Sequence, residues 1–371
     1  MESPLVQYAT GIPKCELHLH IEGTLEPDHM FELAKRNKVP LKYESVEACK
    51  AAYNFTDLQS FLDLYFEGTS VLLQESDFYE LALRYFSRAH QDNVRHAEIM
   101  FDPQLHTQRG ISLETCLKGL RRAQDIARKQ WKISSKLIMC FLRHLPESKH
   151  WELLNNVKPF VDMIDAVGLD SSEKNFPNRL FKDIMKEARS MGLRIVSHAG
   201  EEGPPSNIGE AINDLCSERI DHGTTCTEDP AILQILIDKK IPLTVCPISN
   251  KKLGVIENIS QHPLLRCSPQ TNDGTVINSS RELRTTSSNA SQLDLIERGL
   301  MVCINSDDPA YFRAYINENF IACLHKDANL NWTTDTILKL ALNSVEASFL
   351  SEDEKLLLMN EILSFNTNFR P

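Results

Sequence analysis

Two histidines stand two positions apart in a run that is typical of a β-strand. His18 and His20 lie in the segment KCELHLHI. Side chains at positions i and i+2 of a strand point to the same face, so both imidazoles can bind one metal ion. The 12 histidines of the 371-residue chain allow about 0.4 such pairs by chance, so packing or surface histidines are the simpler interpretation of this pair alone.

Three other strand-like runs end in residues of the same kind. One ends in SHAGE with His198, a second in DHG with His222, and a third in NSDDP with Asp307 and Asp308. Clustered imidazoles and carboxylates would repel one another or lose hydration unless a bound cation neutralised them. Three imidazoles and one carboxylate suit zinc with an open position for water. The predicted ligands are His18, His20, His198 and Asp307.

Three further side chains are candidates for proton transfer or substrate binding. Glu201 follows His198 by three residues, where its carboxyl could donate to a substrate ring nitrogen or simply occupy a helix N-terminus. His222 could orient the attacking water or act as a base, or only support the site structurally. Asp308 could accept a hydrogen bond from substrate or cap the following helix. Glu202 is expected to point elsewhere.

Eight strand-like runs alternate with helix-like runs, and these elements must bring the candidates together. The strand candidates are 13–21, 96–103, 134–143, 161–170, 193–200, 219–223, 242–250 and 300–309. The helix candidates are 27–37, 76–91, 113–129, 181–191 and 230–239. Alternation of this kind predicts a parallel sheet, and eight units predict a (β/α)₈ TIM barrel whose strand ends meet on one face. A doubly wound open sheet is the alternative, but no glycine-rich dinucleotide turn follows the first strand.

We expect residues 1–371 to form a single domain. Two regions of the chain are not needed for a minimal (β/α)₈ barrel. Residues 41–68 are rich in aromatic side chains. They predict a helical segment that either covers apolar surface or forms a lid over the barrel mouth. Residues 267–291 are rich in Ser, Thr and Asn and poor in large apolar side chains. We therefore expect a mobile surface insertion there.

Charge and composition exclude several classes of partner. Lys and Arg number 40 against 51 Asp and Glu, a net charge of −11, without the basic clusters that bind nucleic acid or anionic membranes. No apolar run approaches the roughly 18 residues of a membrane helix, and the first residues do not resemble a secretory signal. The 10 cysteines form no C-x-x-C pair. Reduced thiols in a cytoplasmic protein, with the nucleus as a further location, are the expectation.

Taken together, these motifs resemble the adenosine/AMP deaminase family of metal-dependent (β/α)₈ hydrolases. The matching stretches are HLHIEGT at 18–24, HAGE at 198–201, DHG at 221–223 and SDDP at 306–309. They occur in the family's order and span almost the whole chain. The resemblance implies that the four predicted ligands bind one zinc ion. It also implies that Glu201 is the proton donor, that His222 takes part in catalysis and that Asp308 binds a purine.

Within this family the chain most resembles adenine deaminases, which implies hydrolysis of adenine to hypoxanthine and ammonia in purine salvage. Glu22 stands where adenosine deaminases carry an Asp that meets the ribose, and its extra methylene is expected to intrude on a sugar. Gly23 beside it is a second expected substrate contact. The stretch DSSE at 170–173 replaces the Gly-Asp-Glu of adenosine enzymes, and its Ser172 is a third. No basic cluster near the strand ends suggests a nucleotide phosphate.

Several alternatives stay open or are disfavoured. The alternative nearest to the main prediction is hydrolytic deamination of adenosine, or of an N6-substituted adenine or AMP, instead of adenine. An inactive ligand-binding relative is disfavoured by the intact ligand set, and a two-metal amidohydrolase by the lack of a bridging lysine at 170–172. The cytidine-deaminase and H-E-x-x-H zinc motifs are absent. One departure from adenine deaminases is Arg313-Ala314, where they carry Gly-Gly.

Overall fold

The barrel is built from eight parallel strands that follow one another in chain order around one sheet. The structure is a computed structural model that describes residues 3–267 and 295–370. The first and last strands meet through a parallel bridge between Leu19 and Asp307, where the Asp307 N–H donates to the His18 carbonyl. The predicted (β/α)₈ barrel is confirmed. The open-sheet alternative is wrong, because the strand order contains no reversal.

The strands are short, and nearly all of their residues are buried. Both faces of a barrel strand are covered, by barrel interior and by helices, which explains their largely apolar sequences. Strands β1 to β8 are Lys14–His20, Val94–Phe101, Ser134–Leu142, Ala166–Asp170, Arg194–Ala199, Arg219–His222, Leu243–Val245 and Val302–Ile304.

Three predicted strands are shorter than the sequence suggests by about half or more, whereas the other five differ by only one or two residues at their ends. The run 161–170 begins as a strand only at Ala166, since Lys158–Met163 forms a 3₁₀ helix. The runs 242–250 and 300–309 become helical at Pro247 and Pro309. Proline at the first helical position has a φ suited to a helix and lacks an N–H that would be unpaired there. A short apolar run in the sequence does not by itself distinguish a buried strand from a buried helical segment.

The helices connect and surround the strands, and they include the five predicted from the sequence. Helices α1 to α8 are Pro4–Gly11, Pro27–Asn37, Val46–Ala52, Leu58–Gly68, Glu75–Gln91, Pro103–Thr107, Leu113–Trp131 and Glu147–Val157. Helices α9 to α16 are Lys182–Ser190, Pro205–Asn213, Pro230–Asp238, Pro247–Lys252, Pro309–Phe312, Ile316–Leu324, Thr334–Glu346 and Glu352–Asn368.

The two regions beyond a minimal barrel have different outcomes. Residues 41–68 contain α3 and α4, so the predicted helical character is confirmed. The predicted insertion at 267–291 lies outside the described residues except for Cys267. Within 3–267 and 295–370, none of the helices has the length and apolar character needed to cross a bilayer.

Candidate active site

The four predicted metal ligands converge at the carboxyl ends of β1, β5 and β8. His18 Nε2 lies 3.3 Å from Asp307 Oδ1, and His20 Nε2 lies 3.7 Å from the same oxygen. His20 Nε2 is also 3.3 Å from His198 Nε2. All four side chains are buried. The barrel therefore brings together residues that are nearly 290 positions apart in the chain.

The chemistry of these atoms fits a metal ion. His18 Nε2 is buried and has no hydrogen-bond partner among the described residues, although it faces the cluster. A buried nitrogen without a partner is costly, and a bound cation would satisfy it. The ligand atoms of His18, His198, His222 and Asp307 all lie within 4.8 Å of one another. This set includes His222 in place of His20, whose ligand atom lies within 4.8 Å of those of Asp102 and Asp170.

A network behind the histidines sets their ring orientations. His18 Nδ1 lies 3.0 Å from Thr244 Oγ1, and that hydroxyl donates to Asp221 Oδ1 over 2.8 Å. Asp221 Oδ2 is 3.6 Å from His198 Nδ1. The His18 ring is fixed through its Nδ1 and presents Nε2 to the cluster, as ligands of catalytic metals do. His198 Nδ1 faces Asp221 on the same side but lies beyond hydrogen-bond distance. Sequence reasoning quoted Asp221 within a motif but assigned it no role.

Glu201 and His222 face each other next to the cluster. Glu201 Oε1 is 3.6 Å from His222 Nε2, which lies 3.8 Å from Asp307 Oδ2. Burial, followed by the nearby charges of Asp307 and Glu173, raises the pKa of Glu201 well above the ordinary carboxyl range. A carboxyl of this kind can carry a proton at neutral pH and deliver it.

The opposite nitrogen of His222 is held by an amide. Asn250 Nδ2 donates to His222 Nδ1 over 3.1 Å, and His262 Nε2 donates to Asn250 Oδ1 over 3.2 Å. Burial, followed by the charge of His18, lowers the pKa of His222 to about 3. In a neutral imidazole whose Nδ1 accepts, the hydrogen lies on Nε2. His222 therefore directs an N–H towards Glu201 and Asp307.

The loop that carries Glu201 is wrapped around one carboxylate that sequence reasoning missed. Glu173 accepts hydrogen bonds from the backbone N–H groups of residues 200, 201, 202 and 203, over 2.8 to 3.1 Å. Asn207 Nδ2 donates to it as well, over 2.9 Å. A buried carboxylate with five donors fixes the course of the β5 loop. The fixed loop determines where the Glu201 side chain can point.

A small cavity opens beside the cluster. Its polar wall includes His20, His198, Glu201, Asp307 and Asp308. Its apolar wall comes largely from α4, through the side chains of Leu58, Phe61, Leu62, Tyr65 and Phe66. Part of region 41–68 therefore lines the same cavity as the candidate ligands.

Three predicted substrate contacts lie behind the residues that line this cavity. Glu22 accepts from His106 Nε2 over 2.8 Å and from the Asp102 N–H over 3.2 Å. The Ser172 hydroxyl donates to Glu202 Oε1 over 2.6 Å, and the preceding Ser171 lines the cavity instead. Both side chains turn into the adjoining loops, so they are placed to support cavity residues rather than to touch a ligand.

Gly23 lies directly against Asp308. A Cβ on Gly23 would lie 2.0 Å from Asp308 Oδ1 and 2.7 Å from its Cα. No side chain larger than hydrogen fits there without moving Asp308. The absence of a Cβ is thus what allows Asp308 to approach the first strand.

Two more cavity residues were not identified from the sequence. Asp102 follows β2, and Asp170 is the last residue of β4. Tyr65 Oη donates to Asp102 Oδ2 over 3.0 Å, and Asp170 Oδ2 lies 3.5 Å from His20 Nδ1. The signal that indicated the metal ligands, an acidic or imidazole residue at a strand end, also applied to both.

Several residues at this face adopt a left-handed backbone conformation that side chains disfavour. Asp307 has φ 67°, His222 has φ 66° and Ser171 has φ 71°. Such conformations are uncommon in residues other than glycine and concentrate at functional sites. Arg313 also has a positive φ of 56°, at the end of α13. The chain thus keeps at Arg313 a conformation that glycine would adopt readily.

Comparison with known proteins agrees with this geometry. The profile of the family described as Adenosine deaminase matches residues 13–276 and 278–365. The adenine deaminase of Wolinella succinogenes is 48% identical over 359 residues, which cover 97% of this chain and 99% of that protein. The adenine deaminase of Hahella chejuensis is 46% identical over 361 residues, with coverage of 97% and 99%. A solved adenine deaminase from Arthrobacter aurescens superposes with a TM-score of 0.86 at 40% identity, covering 96% of this chain and 100% of that one. The chain therefore belongs to the adenosine deaminase family.

Proposed function

We propose that this protein is a zinc-dependent adenine deaminase that hydrolyses adenine to hypoxanthine and ammonia in purine salvage. The observation that carries the proposal is the convergence of three histidines, Asp307 and Glu201 at one small cavity, in a chain 46–48% identical to adenine deaminases over 97% of its length. The acidic surface and small cavity favour a purine base as the ligand rather than nucleic acid or a membrane.

His18, His20, His198 and Asp307 would hold the metal, one per chain. Three imidazole nitrogens and a carboxylate oxygen suit zinc and leave a position open. Zinc bound there lowers the pKa of water towards about 7 and so supplies a nucleophile at neutral pH. His20 is assigned to the metal rather than His222 because His222 Nε2 also faces Glu201, as a residue that orients the nucleophile should.

The remaining residues bind the ring and move protons. Glu201 donates its proton to N1 of the purine, so that negative charge does not build up on the ring as C6 is attacked. The Nε2–H of His222 orients the attacking water. Burial raises the pKa of Asp308 well above the ordinary carboxyl range, so Asp308 carries a proton and donates a hydrogen bond to N7 of the adenine tautomer that keeps its hydrogen on N9. Of the two protons of the attacking water, one restores the Glu201 carboxyl and the other goes to the amino group, which leaves C6 as ammonia. C6 keeps the oxygen.

The other predicted residues act indirectly, by holding residues that line the cavity. Helix α4 covers the cavity, and we call it the roof. Gly23 makes room for Asp308, Glu22 holds the backbone beside Asp102, and Ser172 anchors Glu202. The aromatic side chains of α4 exclude water from the ring. We assign the barrel and its roof to one domain. The ten cysteines are thiols, which suits the reducing cytoplasm.

A substrate panel tests the proposal directly. Purified protein of known metal content would be assayed for deamination of adenine, adenosine, AMP and N6-methyladenine. We expect the highest kcat/KM with adenine. Faster turnover of adenosine, AMP or N6-methyladenine would contradict adenine as the substrate. No turnover of any of the four by fully zinc-loaded protein would indicate a binding relative instead.

A further inference from the structure

The cavity contains a buried acid that the proposed chemistry does not use. Asp102 is 2% exposed and lines the cavity. Its Oδ2 accepts from Tyr65 Oη, whereas no N–H or O–H group of the described residues donates to its Oδ1. The buried carboxyl of Asp170 lies beside it at hydrogen-bonding range. A buried carboxyl oxygen without a donor costs free energy. A ligand that brings a donor to this oxygen would recover that cost.

The position of Asp102 is set by its surroundings. Its backbone N–H donates to Glu22 Oε1, and Glu22 is itself held by His106. Pro103 begins α6 immediately afterwards and restricts the backbone of the residue before it. With Oδ2 fixed by Tyr65, the free oxygen has a defined direction before a ligand arrives. Preorganisation of this kind is typical of residues that select ligands.

A second cation is the weaker candidate for this position. Atoms of His20, Asp102 and Asp170 do lie within 4.8 Å of one another. However, His20 Nε2 faces the proposed zinc site, and its Nδ1 faces Asp170 at 3.5 Å. A neutral imidazole with Nε2 on a metal carries its hydrogen on Nδ1, so it offers a second cation no lone pair. An N–H from the substrate suits Asp102 Oδ1 better.

The roles proposed for Glu201 and Asp308 leave one edge of the purine for Asp102. In the ring of strands, β2 stands three places from β5, whose loop carries Glu201, and two places from β8, which precedes Asp308. With N1 at Glu201 and N7 at Asp308, the edge still unbound is the one that contains N3 and N9. Free adenine carries a donor on N9, whereas adenosine and AMP carry a ribose there.

We propose that Asp102 Oδ1 accepts a hydrogen bond from N9–H of adenine and thereby selects the free base over 9-substituted purines. This inference rests on the proposed function and adds the residue that determines substrate class. It replaces the expectation that Glu22 itself excludes the sugar. Glu22 becomes a positioning residue that acts through the backbone of Asp102.

The test compares adenine with 9-methyladenine, which differ at this position alone. In the zinc-loaded wild type we expect kcat/KM for adenine to exceed that for 9-methyladenine by about 10- to 100-fold, as for a hydrogen bond to a charged group. D102A should lower kcat/KM for adenine by a similar factor and leave the value for 9-methyladenine unchanged or higher. The control D63A removes an exposed aspartate of the roof helix and should behave as wild type.

A binding measurement covers the case in which D102A does not fold. The E201Q protein, with its acid removed, would be titrated with adenine and 9-methyladenine by calorimetry. At least tenfold tighter binding of adenine is expected; equal affinities would overturn the role of Asp102. The outcomes also separate the two proposals. A wild type that deaminates adenine, together with a D102A variant that keeps the wild-type preference, refutes only the Asp102 assignment. A zinc-loaded wild type that leaves adenine unchanged refutes the proposed function.

Discussion

The cavity has two walls that are built in different ways. The strand-end wall is polar and buried, and its side chains come from short motifs on strands that hydrogen bonds hold in register. The roof is aromatic and is held by packing. Phe61 lies 5.6 Å from Tyr311 and 5.1 Å from Phe312 between ring centroids, and Tyr53 stacks on Tyr311 at 4.7 Å.

The two walls therefore have different roles: the strand-end wall carries the reacting groups, and the roof encloses the ligand. In the strand-end wall, hydrogen bonds from neighbouring residues hold several of the reactive side chains, as Thr244 holds His18 and Asn250 holds His222. The roof depends on contacts between residues about 250 positions apart in the chain, and apolar packing tolerates changes of shape at modest cost. Substitutions in the strand-end wall should therefore abolish turnover, whereas those in the roof should mainly weaken binding.

The largest expected effect is the loss of the proposed acid. E201Q should lower kcat by about 10²- to 10⁴-fold while zinc content stays at the wild-type level. E202Q is the matched control, because Glu202 faces Ser172 and Lys174 rather than the cluster; it should stay within about twofold of wild type. The measurement is kcat by steady-state kinetics on protein of known zinc content. Near-normal turnover by E201Q would show that Glu201 is not the proton donor.

The second-largest effect is expected at Glu173, which holds the loop that carries Glu201. E173Q weakens an acceptor shared by four backbone N–H groups of the β5 loop, so we expect kcat to fall roughly 10- to 100-fold with a smaller change in KM. The exposed E114Q is the control. If kcat were unchanged while the melting temperature fell, Glu173 would support the fold but not the position of Glu201.

A steric substitution probes the contact between the first and last strands. G23A places a methyl group 2.0 Å from Asp308 Oδ1, so Asp308 must move, and we expect KM to rise about tenfold with zinc retained. G209A is a suitable control, because its Cβ would meet only the flexible end of Ile232 at 3.0 Å. Equal KM values for the two variants would show that Asp308 does not hold the ring.

The smallest effect is expected in the roof. F61L keeps an apolar side chain but removes the ring that packs on Phe312. Removal of a few buried carbon atoms costs on the order of 1–2 kcal/mol, so KM should rise by about tenfold or less with kcat and zinc nearly unchanged. A loss of kcat as large as that of E201Q would contradict the division between the two walls.

The strand-end wall could be predicted from the sequence because two local rules decide it. Alternation along a strand places His18 and His20 on one face, and a parallel barrel collects the strand ends. Roles that depend on contacts between loops could not be read in this way. Glu173 acts through the backbone of another loop, and Glu22 points away from the cavity towards His106, although both stand in quoted motifs.

The proposed function depends on one metal ion bound by His18, His20, His198 and Asp307. The amount of zinc bound per chain tests this claim most directly. Zinc would be measured by elemental analysis in purified wild-type protein and in D307N, with adenine deamination measured on the same samples before and after chelation. We expect about one zinc per wild-type chain, loss of metal and activity in D307N, and loss of wild-type activity on chelation that added zinc restores. Full zinc occupancy in D307N, or adenine turnover that survives complete removal of metal, would contradict the assignment.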